Sequence, residues 1–398
     1  MPHEIYHGIY LDNAATTRAF PEVAAAVVRC LTEAYGNPSS IHEKGIEAER
    51  LLDESARSLA ALLEVPGDEI LFTSGGTESN NMAILGALYA RGCGVDKVVV
   101  SSVEHPSVYN LALELRRRGF DVKSAAVDGR GVIDLDCLRK VLVPGTALVS
   151  IMHVNNETGA IQPIREIREM LGDGPHRPLL HVDAVQSLGH VPFSPRLLGA
   201  DMASFSAHKI HGPKGSGALW VRSGVKLAPI VYGGGQQRSL RSGTENVPGI
   251  AGFGEACRRL AADPGLRENH LPALRRAYIE GLRREIPDAV VNGPEETGHC
   301  PGTAAPHVLN VGFPRVKAEV LVRLLGSKGV YVSSASACSS RKRGVSRVLE
   351  AMRVPRDVAE GSIRLSFGAF NHLEEVERAV AIIAEAVAHL RRLGKGRG

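Results

Sequence analysis

Residues 70–81, ILFTSGGTESNN, run from four residues of strand character through a Ser-Gly-Gly-Thr turn into the polar start of a helical stretch. Small residues at such a junction let backbone N–H groups and a helix N-terminus approach an anion closely. The same succession of short β-branched strand, turn and helix recurs around 97–101, 146–153, 179–183 and 202–206, with a helical pattern over 107–118. That alternation predicts an α/β fold, a mainly parallel sheet covered by helices. Residues 218–221, behind a Gly-rich turn, add an antiparallel strand. Taken alone, the Gly-Gly turn is also consistent with a simple capped turn.

Beyond about residue 260 the rhythm changes to long helices with isolated strands at 308–312 and 362–367. A chain of 398 residues is expected to divide. We expect a large lobe over 15–260 and a smaller α+β lobe from 1–14 and 261–398. In the closing helix Leu373, Val376, Val380, Ile383, Val387 and Leu390 form one apolar stripe, which is core rather than chemistry.

The net charge of +4 is small and interspersed, which argues against a nucleic-acid or membrane surface and for small-molecule chemistry. The first ten residues lack the pattern of a signal peptide. Glu385 interrupts the apolar segment 379–390, so no membrane helix is expected. A cytoplasmic location follows as an expectation. Cysteines stand at 30, 93, 137, 257, 300 and 338 with no C-x-x-C pair, so no metal site is expected and the thiols are read as free. Cys30, Cys137 and Cys257 read as helical core residues, and Cys93 and Cys300 as loop residues beside glycines.

Candidate chemistry gathers where strands end, as it does in open α/β sheets. In HVDAVQSLG (181–189) Asp183 closes an apolar strand, with Gln186 three residues on. In SFSAHKIHGPKGSGALWV (204–221) Ser206, His208 and Lys209 follow another strand, ahead of glycines that permit close backbone approach. A lysine, an aspartate and a phosphate cradle at successive strand ends are what pyridoxal phosphate requires. The amine forms a Schiff base, the carboxylate keeps the ring nitrogen protonated, and the helix end holds the phosphate. An ordinary phosphate-binding domain is the alternative at this level.

These segments, with YLDNAATT (10–17), GNPSSIH (36–42), EHPSV (104–108), HVNNETG (153–159), GGGQQRSLRSGTEN (233–246), SSASACSS (333–340) and IRLSFG (363–368), resemble the cysteine desulfurases of the NifS/IscS type. Those are class V aminotransferases of fold-type I, and the resemblance covers nearly the whole chain. It implies a large domain with a mainly parallel seven-stranded sheet plus a smaller α+β domain, and pyridoxal 5'-phosphate as cofactor. By the same resemblance Lys209 carries the cofactor, Asp183 pairs with its ring nitrogen and His105 stacks on its ring. Asn156 and Gln186 meet its ring oxygen. Gly76, Thr77, Ser206 and His208 hold the phosphate with Thr244 of a second subunit, which makes a homodimer. Arg364 and Asn37 receive the carboxylate of L-cysteine, and Cys338 takes the sulfur as a persulfide for a sulfur-acceptor protein, such as an iron–sulfur scaffold.

Read as residues alone, several of these positions keep a second reading. His105 fits a hydrogen-bonded loop histidine, Asn156 an Asx-turn, Gln186 a helix cap and Asn37 a capping loop. Thr244 lies in a stretch typical of any turn. Arg364 sits in an apolar strand, where its guanidinium suits a carboxylate bidentately but also a structural salt bridge. Cys338 has small neighbours and the cations Arg341, Lys342 and Arg343 downstream, which favour a thiolate, against an incidental loop cysteine. A selenocysteine lyase and a class V aminotransferase without sulfur transfer are the alternative activities. Docking to an iron–sulfur scaffold is not implied by the short segment after the last helix pattern.

Overall fold

The computed structural model describes residues 8–92, 96–174, 176–334 and 345–395. After a short first strand β1 (Ile9–Tyr10), β2 (Ile70–Thr73), β3 (Lys97–Ser101), β4 (Asp121–Ala125), β5 (Thr146–Met152), β6 (Leu179–Asp183), β7 (Met202–Ser206) and β8 (Gly217–Val221) build a seven-stranded sheet. Its order is β2-β8-β7-β6-β5-β3-β4, and only β8 runs antiparallel to its neighbours. Alternate residues supply its two faces, as the pleat demands. Val99, Val149, Ile151, Val182 and Phe205 enter one core, while Val98, Val100, Leu148, Met202 and Leu219 enter another. Helices crossing between strands cover both faces, so the central strands are buried throughout.

The register sets the strand ends side by side. Met152 pairs with Asp183, and Asp183 with Ser204, so the turns after β5, β6 and β7 open on one edge of the sheet. Two helices start on that edge, α1 (Gly76–Arg91) after β2 and α2 (Pro106–Arg117) after β3. Gly75 caps the first at φ +154°, a conformation an L side chain rarely adopts. The ring of His105 caps the second, accepting from the Ser107 N–H, with Pro106 at its first position.

A second core joins Ile9 and Leu11 to residues from Leu271 to Val387. It includes β9 (Val290–Val291), β10 (Val308–Gly312), β11 (Val330–Tyr331), β12 (Ser333–Ser334) and β13 (Ser362–Ser366). β12, β13, β10 and β9 form an antiparallel sheet in that order, and β1 pairs with β11. Ile363 and Leu365 of β13 are in the core, which leaves Arg364 on the opposite face of the strand.

Some expected boundaries shift. β5 stops at Met152 and β13 at Ser366, one residue early in each case, and the helix expected over 107–118 runs Pro106–Arg117. The closing helix α3 (Val376–Lys395) buries Val376, Val380, Ile383 and Val387, but Leu373 lies in a preceding 3₁₀ turn and is 48% exposed. Its place in the apolar stripe is therefore corrected: the His372–Glu375 capping box holds Leu373 in a 3₁₀ turn, and the α-helical period begins only at Val376. Cys30 and Cys257 are buried as expected, whereas Cys137 is only half-buried and its Sγ accepts from the Ala126 N–H. Among the described residues no helix is long and apolar enough to cross a membrane.

Candidate active site

The strand-end edge of the large sheet and the free face of β13 enclose a cavity of about 410 Å³. Among the expected residues, Gly76, Thr77, His105, Asn156, Asp183, Gln186, Ser206, His208, Lys209 and Arg364 line it. Residues more than 280 positions apart in the chain thus share one wall, because β13 brings Arg364 against the turns after β5 and β6. Asn37 and Thr244 do not line the cavity of this chain and are exposed. Asn37 accepts the Ser39 N–H, the capping-loop arrangement. Cys338 lies outside the described residues. On either side of it, Ser334 lines the cavity and Ser346 donates to Glu157 Oε2 at 2.5 Å.

One end of the cavity opens into a recess bounded by Ser74, Gly75, Gly76 and Thr77 at the start of α1 and by Ser206 and His208. A Cβ on Gly76 would stand 2.6 Å from Val185 Cγ2, so only glycine keeps the helix end this close to the turn after β6. Oriented N–H groups and hydroxyls here match a phosphate. Glu78, in the first turn of α1, is neutralised by Arg241 at 2.8 Å. Burial would raise this carboxyl, but hydrogen bonds from Arg241 and Ser74 outweigh it and hold it below the usual range. Burial, aided by Lys209, pushes His208 down to about 4, leaving it neutral beside the recess.

Deeper in, Asp183 is 5% exposed. Its Oδ2 accepts from Asn80 Nδ2 at 2.7 Å and its Oδ1 from the Val185 N–H at 3.1 Å. Both are neutral donors, so a protonated ring nitrogen would add the charge complement that a buried carboxylate calls for. Asn80 also donates to Ser107 Oγ at 2.8 Å, and Ser107 Oγ lies 2.8 Å from His105 Nδ1. Because the Ser107 N–H points at the same nitrogen, His105 Nδ1 is an acceptor and the neutral ring carries its proton on Nε2. Burial lowers the His105 pKa, with the Asp183 charge opposing, so the ring is neutral near pH 7.

Lys209 Nζ donates to Ala14 O at 2.6 Å and Ala15 O at 2.8 Å, held at the cavity wall by a loop from the start of the chain. Arg364 is 6% exposed and gives Nη1 to Asn156 O at 2.9 Å and Nη2 to Asp12 Oδ1 at 2.8 Å. The salt bridge weighed from sequence is thus present. Arg364 also lines the cavity, and its Nε is buried with no partner among the described residues.

Asp12, Asn80, Ser107 and Glu157 escaped the sequence reading. Asp12 and Asn80 lie inside motifs already singled out, YLDNAATT and FTSGGTESNN, but nothing in their spacing names a partner 352 or 103 residues away. Burial pushes Glu157, a cavity-lining carboxyl, up to about 7. Glu104, beside His105, is pushed by burial to about 8 and accepts from the Met152 N–H at 3.0 Å, tying the turn after β3 to the end of β5.

The lining fits pyridoxal phosphate at three separate points: an amine, a buried carboxylate and an anion cradle. Comparisons with known proteins agree. The profile of the aminotransferase class-V family matches residues 9–379. A cysteine desulfurase IscS from Methanosarcina thermophila is 41% identical over 97% of this chain and 93% of its own length. Among solved structures, a NifS-like protein superposes with a TM-score of 0.88 at 38% identity, covering 96% of this chain and all of the other. An SspA in complex with cysteine superposes with a TM-score of 0.79 at 30% identity, covering 92% of this chain and all of the other.

Proposed function

The chain belongs to the class-V aminotransferase family, alongside its cysteine desulfurases, and from that premise we propose that it converts L-cysteine to L-alanine and passes the sulfur to Cys338 as a persulfide. The observation that carries this reading is the meeting of Lys209, Asp183 and Arg364 in one cavity with the phosphate cradle of α1. Pyridoxal phosphate, the family's cofactor, supplies an electron sink when bound.

The residues of the chain then divide the work. Lys209 holds the cofactor and, once the substrate amine has taken its place, its Nζ receives the Cα proton. Ala14 O and Ala15 O keep that amine at the wall. Asp183 secures the ring-nitrogen proton, with Asn80 fixing its carboxylate. His105 presents Nε2–H toward the cavity as a hydrogen-bond donor and its ring face for stacking. Asn156 and Gln186 meet the ring oxygen, and Gly76, Thr77, Ser206 and His208 the phosphate. Arg364, which lines the cavity, receives the substrate carboxylate. The Cys338 thiolate attacks the substrate sulfur; the new S–S bond forms as the C–S bond breaks, and the remaining skeleton leaves as alanine. A selenocysteine lyase or an aminotransferase would use the same cavity, so the product decides. From L-cysteine the purified enzyme yields alanine and transferable sulfur, whereas a keto acid without sulfur transfer would mean an aminotransferase.

Replacing Asp183 by Asn removes the charge and keeps the shape. We expect kcat to fall roughly 100-fold or more while cofactor remains bound through the phosphate cradle. Near-normal kcat at full occupancy would rule out the ring-nitrogen role.

Further parts of the reading rest on resemblance. The lobes divide at about residue 260, with 1–14 joining 261–398. The protein is a cytoplasmic homodimer in which Thr244 of the second subunit completes the phosphate site, consistent with its exposure in the single chain, and Asn37 meets the substrate carboxylate. Sedimentation of a fully active single chain would contradict the dimer. A sulfur-acceptor protein, such as an iron–sulfur scaffold, takes the persulfide onward.

A further inference from the structure

We propose that His307 is a positioning residue that fixes the polarity of the Gln186 amide at the cavity wall. The inference rests on the reading that Gln186 meets the cofactor's ring oxygen.

Gln186 donates from Nε2 to Ala14 O at 3.0 Å, and its Oε1 lies 3.0 Å from His307 Nε2. A primary amide can be turned end for end, but here one orientation satisfies both neighbours. Ala14 O can only accept, so Nε2 faces it. Oε1 then faces His307, which must carry its proton on Nε2. The reverse orientation would set two acceptor oxygens about 3 Å apart away from water, with no compensating hydrogen bond. One Nε2 hydrogen of Gln186 is left for a ligand, and a ring oxygen received by an N–H is stabilised in its negatively charged form.

His307 itself is firmly placed. Its carbonyl accepts the Phe367 N–H at 2.9 Å, which ties it to the end of β13. Its ring stacks on His190, with centroids 3.7 Å apart and planes 12° from parallel. Burial, with His190, Arg364 and Lys209 nearby, holds His307 well below the usual histidine range, and burial pushes His190 to about 3. Both rings are neutral at working pH, so the His307 N–H is a constant donor. Ala14 O meanwhile accepts from both Gln186 and Lys209, so the amide keeps one partner when the lysine amine moves.

The test is the pH titration of the visible absorbance of the lysine-bound cofactor in the holoenzyme. A donor on the ring oxygen stabilises its negative charge and weakens that oxygen's hold on the neighbouring proton, so losing the donor raises the midpoint. Gln186→Leu and His307→Leu should each raise it by about half a unit to one unit. The double variant should show no further shift, and His307→Gln, which keeps an N–H at similar reach, should restore the wild-type midpoint. His307→Asn, too short to reach Gln186, replaces His307→Leu should the latter fail to fold. A midpoint raised by Gln186→Leu but unmoved by the His307 variants overturns the positioning role. A midpoint unmoved by Gln186→Leu shows that Gln186 does not meet the ring oxygen, which removes the underlying reading and this inference together.

Discussion

Lys209→Ala is expected to abolish turnover of L-cysteine, by at least about three orders of magnitude, and to remove the visible absorbance of lysine-bound cofactor. Two separate jobs fall on the one amine, holding the cofactor and taking the Cα proton, and among the described residues no other lysine lines the cavity. The recess at the start of α1 is untouched by the substitution, so cofactor should still associate without covalent attachment. Loss of the side chain also frees Ala15 O and leaves Ala14 O with Gln186 alone, a change too small to unfold the protein. An unchanged visible band in the purified variant would assign the cofactor to another lysine.

Cys338→Ala is expected to leave cofactor binding and its spectral response to L-cysteine intact, while sulfide and persulfide production falls by at least about three orders of magnitude. Breaking a carbon–sulfur bond at a useful rate needs a nucleophile to take the sulfur. Selenium departs more readily, so activity toward L-selenocysteine should persist in the variant. The expectation draws on the SSASACSS motif and the cations that follow it at 341–343, which favour thiolate. Wild-type sulfide release from L-cysteine by the variant would mean that another group accepts the sulfur. A full loss of cofactor binding would mean that the substitution reports on folding instead.

The parts of the site that were legible in the sequence are those where local pattern and chemistry coincide. A strand running into Ser74-Gly75-Gly76-Thr77 and then a helix could be read because the turn, the cap and the anion cradle are one feature. Lys209 and Asp183 stood out because a charge at the end of an apolar strand needs a reason. The antiparallel β8 was signalled by the glycines ahead of it. What the sequence hid depends on tertiary approach. Asp12 meets Arg364 across 352 residues, and His307 meets Gln186 across 121, with no periodicity to mark either pair. Asn80 looked like one of two polar residues early in a helix, yet it is 1% exposed and bridges Asp183 to Ser107. Leu373 fitted the helical stripe by spacing, but spacing cannot tell a 3₁₀ turn just inside the cap from the α-helix that follows it. Arg364 was posed as ligand or salt bridge, and the salt bridge to Asp12 is present while the residue also lines the cavity.

The most direct measurement is mass spectrometry of the holoenzyme after brief exposure to L-cysteine in the absence of reductant. The account predicts one additional sulfur atom on the peptide containing Cys338, removed by a thiol reductant and matched by alanine formed. Cys300, an exposed free thiol elsewhere on the chain, should stay unmodified. Alanine formed with no added sulfur on Cys338, or with the sulfur on another cysteine, would contradict the central claim.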